Sequence, residues 1–201
     1  MGPRGPAKNV DTKRVDLVLA SKSPRRSELL RTAGFAFIVR TGDVDEVRRE
    51  DEAPEQYVRR LAREKADAAW IGADEIVLGA DTVVVAEGAV LEKPRDSEDA
   101  RAMLGRLSGR THTVITGICL RSASRVVVDA ESTLVRFVEL TDREIQEYAA
   151  SGEPMDKAGA YAIQGLASKF VDRIEGCYFN VMGLPVARVY RHWKAITSRT
   201  S

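Results

Sequence analysis

One carboxylate interrupts an otherwise apolar run. Residues 76–85 have the sequence IVLGADTVVV, in which Asp81 is the only charged residue. Burying an unpaired carboxylate is very costly, so Asp81 is expected to be paired, to bind a metal, or to face a cleft at the end of a strand. Gly79 beside it would allow a ligand or another backbone to approach closely. The alternative is a tight bend in which the Asp81 carboxylate only accepts backbone N–H groups.

A lysine lies on the apolar side of the helix predicted for residues 54–70. At about 100° per residue, Lys65 projects between Leu61 and Ala69, in the middle of the apolar stripe. Such a lysine either lays its aliphatic chain along the apolar surface so that its ammonium group reaches solvent, or it extends into a cleft.

Two arginines follow a predicted helix start. Ser23 is a suitable N-cap and Pro24 a suitable first helical residue, which places Arg25 and Arg26 in the first turn. The positive end of the helix dipole disfavours cations there by about 0.3–1 kcal/mol each. Helix N–H groups, serine hydroxyls such as that of Ser21, and two guanidinium groups together would cradle a polyphosphate. The alternative is a pair of solvated surface arginines.

The remaining polar segments extend this set of groups. Residues 42–53 form a charged, exposed loop that contains Glu46, residues 91–94 contain Lys93, and residues 155–165 contain Gln164. Cations suit the phosphates of a nucleoside triphosphate, and carboxylates suit a divalent metal and water. The two histidines, His112 and His192, form no ligand pair, and the two cysteines form no CxxC motif, which argues against a metal site built on these residues.

Apolar runs and helical patterns alternate irregularly along the chain. Helices are predicted for residues 24–33, 54–70, 96–107, 142–152 and 185–196. Strands are predicted for residues 15–20, 35–39, 76–86, 89–91, 113–120, 126–130 and 134–138, and residues 169–174 and 178–182 flank a turn as a further pair. Because several strands follow one another directly, a mixed sheet with helices around it is expected. Residues 15–201 are expected to form one domain after a disordered leader at 1–14.

Composition argues against several classes of protein. The 201 residues carry 31 Lys and Arg against 30 Asp and Glu, a net charge of +1, so no basic field indicates nucleic acid. No apolar run approaches the roughly 18 residues of a membrane span, and the start lacks the pattern of a secretory signal. A soluble, cytoplasmic protein that binds neither nucleic acid nor membrane is expected.

Six blocks of the chain resemble the Maf family of nucleoside triphosphate pyrophosphatases. They are LASKSPRR (19–26), GADT (79–82), LEKP (91–94), LSGR (107–110), EPMDKAGAY (153–161) and GLP (183–185), and they occur in the family's order. The resemblance implies a mixed α/β fold of the Maf or ITPase-like type, with two lobes around a nucleotide-binding cleft. It also implies hydrolysis to the monophosphate and pyrophosphate with Mg²⁺ or Mn²⁺, and a homodimer is common in the family.

The resemblance also implies roles for individual residues. Asp81 matches the catalytic aspartate, Glu46 the second metal-binding carboxylate, and Lys65 and Lys93 the phosphate-binding lysines. Arg25, Thr82 and Gln164 match the positions associated with base choice in members that act on dTTP and UTP. Ser21, Arg25 and Arg26 complete the expected substrate-binding set, and Asp81 acts either as base or as metal ligand.

Two alternatives to a dTTP/UTP pyrophosphatase are open at this stage. One is a non-catalytic regulator of cell division, and the other is an enzyme of the same family that prefers 7-methyl-GTP. Ala162 and Ala167 stand where many members have glycine, beside Gln164. The shape of the base pocket is therefore where this chain departs from the family pattern.

Overall fold

A seven-stranded mixed sheet forms the centre of the fold. The computed structural model describes residues 16–198, so the predicted leader at 1–14 lies outside the described residues. The strand order is β2-β1-β3-β5-β6-β7, with β4 pairing with β3. Strand β1 runs parallel to β2 and β3, and the other pairs are antiparallel. The predicted mixed sheet is confirmed. The strands are β1 (Asp16–Ala20), β2 (Phe37–Val39), β3 (Glu75–Ala86), β4 (Ala89–Leu91), β5 (Thr111–Arg121), β6 (Val126–Phe137) and β7 (Val171–Glu175).

Within residues 16–198, six α-helices surround this sheet, and local signals in the sequence explain several of their starts. Proline occupies the first turn of α1 and α2, the Asp96 side chain caps α3, and Thr141 with Glu144 forms a capping box on α4. Within the described residues, none of the helices is both long enough and apolar enough to cross a membrane. The helices are α1 (Pro24–Thr32), α2 (Pro54–Ala69), α3 (Ser97–Leu107), α4 (Asp142–Ala150), α5 (Tyr178–Val181) and α6 (Val186–Thr197).

The two faces of the sheet bury different layers. Alternate side chains of a strand point to opposite faces. On β3, Val77 and Val83 pack under α2, whereas Ile76, Leu78 and Val84 belong to the larger cluster that also contains side chains of α1, α3, α4 and α6. Asp81 shares the α2 face with Val77 and Val83.

Helix α2 lies unusually close to the sheet because two glycines face it. A Cβ added to Gly79 would stand 2.0 Å from the carbonyl oxygen of Ala62, and one added to Gly117 would stand 2.3 Å from that of Val58. Gly117 is the cross-strand partner of Asp81. The close approach predicted beside Asp81 is therefore that of a helix backbone.

The strand prediction is wrong in two places. Residues 126–137 form the single strand β6, because its ladder with β5 continues through the polar residues 131–133 that suggested a break. Residues 178–182 do not return as a strand, since Tyr178–Val181 forms the short helix α5. The buried Asn180 holds α5 in place by donating to the carbonyl of Val114 (3.0 Å) and to Thr133 Oγ1 (2.9 Å).

Candidate active site

A cleft of about 580 Å³ lies where α1, α2 and β3 meet the segment that follows α4. This volume falls within the range of small-molecule sites. All nine residues predicted to act on a substrate or metal line this cleft: Ser21, Arg25, Arg26, Glu46, Lys65, Asp81, Thr82, Lys93 and Gln164. The fold thus brings together residues that are up to 143 positions apart in the sequence.

The cleft opens at a gap in the sheet. Strand β1 pairs with β3 as far as Gly79, and β4 pairs with β3 from Val84 onwards. Between these two partners, and among residues 16–198, the stretch 80–83 of β3 has a strand neighbour only on its β5 side. Asp81 lies within this stretch, so its carboxylate can face a ligand although it comes from the middle of a long strand.

Lys65 bridges two carboxylates in the cleft. Its Nζ lies 2.7 Å from Asp81 Oδ1 and 2.9 Å from Glu46 Oε1. The lysine thus reaches into the cleft rather than out to solvent, and Asp81 is paired, as one interpretation of the sequence required. Burial raises the pKa of the Asp81 carboxyl above its usual range, and the opposing effects of Lys65 and Arg26 do not cancel this.

Arg26 is bonded mainly to the wall of the cleft. Its Nε donates to the carbonyl of Gly183 (2.9 Å), its Nη1 to Ser21 Oγ (3.0 Å) and the carbonyl of Ala80 (2.9 Å), and its Nη2 to Thr82 Oγ1 (3.0 Å). A guanidinium has five N–H groups, so these bonds leave one for a ligand. Arg26 therefore holds both neighbours of Asp81, and burial lowers its pKa.

The Thr82 hydroxyl is largely satisfied inside the protein. Thr82 Oγ1 lies 2.9 Å from Thr116 Oγ1, and Thr116 Oγ1 lies 3.2 Å from the carbonyl oxygen of Asn180. If Thr116 donates to that carbonyl, Thr82 donates to Thr116 and accepts from Arg26. Thr82 then offers a ligand an acceptor and no donor.

Arg25, Lys93 and Gln164 are more accessible. Arg25 Nη1 donates to Asp156 Oδ2 at 3.1 Å, and Lys93 and Gln164 are exposed at the rim of the cleft. Ser23 caps α1 by position but makes no side-chain capping bond, and its N–H donates instead to Ser21 Oγ at 3.2 Å. Ser21 thus accepts two bonds, which leaves its own hydroxyl proton for a ligand.

Two residues at the site were missed by the sequence analysis. Tyr57 Oη lies 2.7 Å from the carbonyl oxygen of Glu46 and 2.8 Å from Glu92 Oε1, so it ties the Glu46 loop to the end of β4. Burial raises the pKa of the Tyr57 hydroxyl. Glu92 lies in the LEKP block, directly before Lys93. Tyr57 carries no signal of its own, because a tyrosine on the apolar side of a helix is indistinguishable from core.

The chemistry of the donor set fits a hard divalent cation. Glu46 and Asp81 both lie within 3 Å of one Nζ atom, so their oxygens are close enough to serve one ion. Two carboxylates with substrate phosphates are a usual set for Mg²⁺. Within residues 16–198 there is no group of three or more His, Cys, Asp or Glu that could hold a metal alone.

Known proteins similar to this chain identify its family. The family model described as Maf-like protein matches residues 16–196. A protein of Koribacter versatilis named dTTP/UTP pyrophosphatase is 55% identical over 176 residues, which cover 87% of this chain and 91% of that protein. A protein of Hahella chejuensis with the same name is 52% identical over 174 residues, covering 85% of this chain and 87% of that protein. The match spans the sheet and every residue of the cleft named above, and on this evidence the chain belongs to the Maf family.

Proposed function

We propose that this protein hydrolyses dTTP and UTP to the monophosphate and pyrophosphate. The observation that carries the proposal is the buried Asp81 carboxylate, held by Lys65 beside Glu46 in a cleft lined with cations. The relatives named dTTP/UTP pyrophosphatase support the same activity.

The proposed reaction is an in-line attack of water on the α-phosphorus. The water forms a new P–O bond, the bond from the α-phosphorus to the bridging oxygen breaks, and pyrophosphate leaves with that electron pair. Asp81 accepts the proton of the water, which suits a carboxyl whose pKa burial raises above its usual range. Lys65 and Lys93 neutralise the charge that grows on the leaving group, and the last free N–H of Arg26 assists them.

We propose Mg²⁺ or Mn²⁺ as the cofactor, held by Glu46 and Asp81. When bound, such an ion polarises phosphate oxygens and makes water easier to ionise. With the ion in place, Lys65 would give up part of its pairing with both carboxylates and become available to a phosphate.

Base choice is assigned to Gln164 and Arg25. The Gln164 amide offers one donor group and one acceptor, which match the 4-oxo and 3-NH groups of thymine and uracil, and Arg25 adds donors for carbonyl oxygens. None of the residues predicted to choose the base supplies the carboxylate that a guanine edge would favour. We further propose that the enzyme acts in the cytoplasm, where these nucleotides occur, and that it forms a homodimer, which its mass in solution will test.

A nucleotide panel with product identification tests the function. We expect kcat/KM for dTTP and UTP to exceed that for ATP, GTP, CTP and 7-methyl-GTP, with TMP or UMP and intact pyrophosphate as products. Faster hydrolysis of 7-methyl-GTP would refute the base preference and keep the reaction. Complete lack of turnover with every nucleotide would leave the non-catalytic alternative.

Chelation tests the cofactor. We expect EDTA to reduce hydrolysis to the background rate and added Mg²⁺ or Mn²⁺ to restore it, because Glu46 and Asp81 are hard oxygen ligands. Full activity in rigorously chelated buffer would contradict the proposed metal.

A further inference from the structure

The amide of Gln164 is positioned by its backbone alone. Gln164 lies in a turn closed by a bond from the N–H of Gly165 to the carbonyl of Ala162 (3.1 Å). Its side chain is exposed and has no hydrogen-bond partner among the described residues. Whatever holds this turn therefore sets where the amide meets a base.

Two side chains hold the turn at both ends. The hydroxyl of Tyr148 accepts the N–H of Ala162 (3.3 Å), and Glu153 Oε2 accepts the N–H of Leu166 (3.0 Å). The two side chains are joined to each other, because Tyr148 Oη donates to Glu153 Oε1 at 2.9 Å. One connected pair thus flanks Gln164 on either side in sequence.

The contact between this pair and the turn is close. A Cβ added to Gly165 would stand 2.2 Å from Glu153 Oε1, so the carboxylate lies directly against the glycine that follows Gln164. The ring of Tyr148 is buried and meets Phe170 edge-on, with 5.5 Å between centroids. Burial also raises the pKa of Tyr148, which keeps its hydroxyl a donor.

The same segment also holds Arg25. Lys157 Nζ donates to the carbonyl of Glu153 (2.6 Å) and to Asp156 Oδ1, and Asp156 Oδ2 accepts from Arg25 Nη1 (3.1 Å). The side chains of Tyr148, Glu153, Asp156 and Lys157, here called the frame, therefore connect the two residues assigned to the base.

Discrimination between uracil and cytosine needs that connection. An amide alone can rotate to match either base, whereas a guanidinium only donates and so requires a carbonyl oxygen. The two groups select uracil only if their separation is fixed, because otherwise each can find a partner on cytosine independently. Small misplacements of positioning groups carry large costs in rate.

We propose that Tyr148 and Glu153 are positioning residues that set base selectivity by fixing Gln164 relative to Arg25. This inference rests on the proposed function. The frame does not touch the reacting phosphorus in this scheme, so its loss should affect which base is accepted more than how fast the bound substrate reacts.

The test compares UTP with CTP, which share ribose and triphosphate. Tyr148→Phe and Glu153→Ala should each lower the ratio of kcat/KM for UTP over CTP by about tenfold, mainly through KM for UTP, with kcat for UTP within about twofold. Tyr190→Phe and Glu147→Ala are matched controls, since Tyr190 lies on α6 outside the cleft and Glu147 is an exposed residue of α4 paired with Arg143. The controls should keep the wild-type ratio.

A double-mutant cycle separates positioning from a general structural role. In a Gln164→Ala background, Tyr148→Phe should leave the UTP to CTP ratio unchanged, because the group that it positions is gone. Equal losses on both substrates, or a further drop in ratio on top of Gln164→Ala, would overturn the inference. If Glu153→Ala fails to fold, Tyr148→Phe decides, since it removes one oxygen atom and keeps the ring. Wild-type protein that is inactive or does not prefer UTP would instead refute the proposed function, and the inference with it.

Discussion

Asp81 and Asp129 are two carboxylates of the same sheet that differ in their number of hydrogen-bond partners. Each interrupts a run of β-branched residues, Asp81 on β3 and Asp129 on β6. The Asp129 carboxylate accepts two hydrogen bonds from Arg188 Nη1 (3.0 Å each) and one from the N–H of Ala130 (2.8 Å). His192 Nε2 lies 2.8 Å from Asp129 Oδ2. Asp81 is bonded to Lys65 alone among side chains of the described residues.

Burial is the largest influence on the pKa of both groups, but the outcome differs. At Asp81 burial prevails and the pKa lies above its usual range. At Asp129 the bonds from His192 and Arg188 outweigh burial, and the pKa lies below it. A fully bonded carboxylate is a fixed anion, whereas a buried carboxylate with one partner can accept a proton. The number of partners, and not the presence of charge, distinguishes the candidate catalytic group.

The largest expected effect on kcat comes from removing the Asp81 carboxylate, which has a single side-chain partner. Asp81→Asn keeps the shape and removes the proton acceptor, so kcat for UTP should fall by about 10³-fold or more. Folding, followed by circular dichroism, and nucleotide binding should be largely retained. Asp129→Asn is the matched control and should leave kcat within about twofold, because that carboxylate lies outside the cleft. Residual turnover of Asp81→Asn above a few per cent would contradict the role given to Asp81.

A smaller effect is expected when the single partner of Asp81 is removed. Lys65→Met should reduce kcat by about 10²-fold, since a cation facing the phosphates is lost. Lys65 also lowers the pKa of Asp81, so its loss raises that pKa further. The acid limb of the pH–rate profile should therefore move to higher pH. Arg63→Met, an exposed change on the same helix, should leave both kcat and the profile unchanged. An unmoved acid limb in Lys65→Met would show that Asp81 does not control it.

The smallest effect is expected at the fully bonded carboxylate. Arg188→Met removes bonds to Asp129 and Glu131 and should lower the free energy of unfolding by about 1–2 kcal/mol, with kcat unchanged. The lowered pKa of Asp129 contributes stability that is present above the ordinary pKa of an aspartate and is lost as the pH falls through the lowered value. The difference in free energy of unfolding between wild type and Arg188→Met, measured by urea unfolding, should therefore become smaller at acid pH. A difference in free energy of unfolding that does not change with pH would contradict the proposed contribution of Asp129.

The sequence predicted the cleft better than the bonds within it. Asp81 and Lys65 each contradict a local rule of burial, and such contradictions are visible without coordinates. The role of Arg26 as a brace was not predictable, because its partners Gly183 and Ala80 come from distant parts of the chain and offer only backbone carbonyls. Helix α5 was missed for a similar reason, since the buried contacts of Asn180 with two strands decide its conformation.

The gap along β3 also bears on how the protein avoids aggregation by strand addition at this site. An unpaired strand edge is a template on which another chain can add a strand, and such additions lead to aggregates. Here the open stretch spans only residues 80–83, with β1 before it and β4 after it. The carbonyl of Ala80 is already occupied by Arg26. An incoming strand would find too few free backbone groups to pair with along residues 80–83, so this stretch can face a small substrate while remaining closed to a polypeptide.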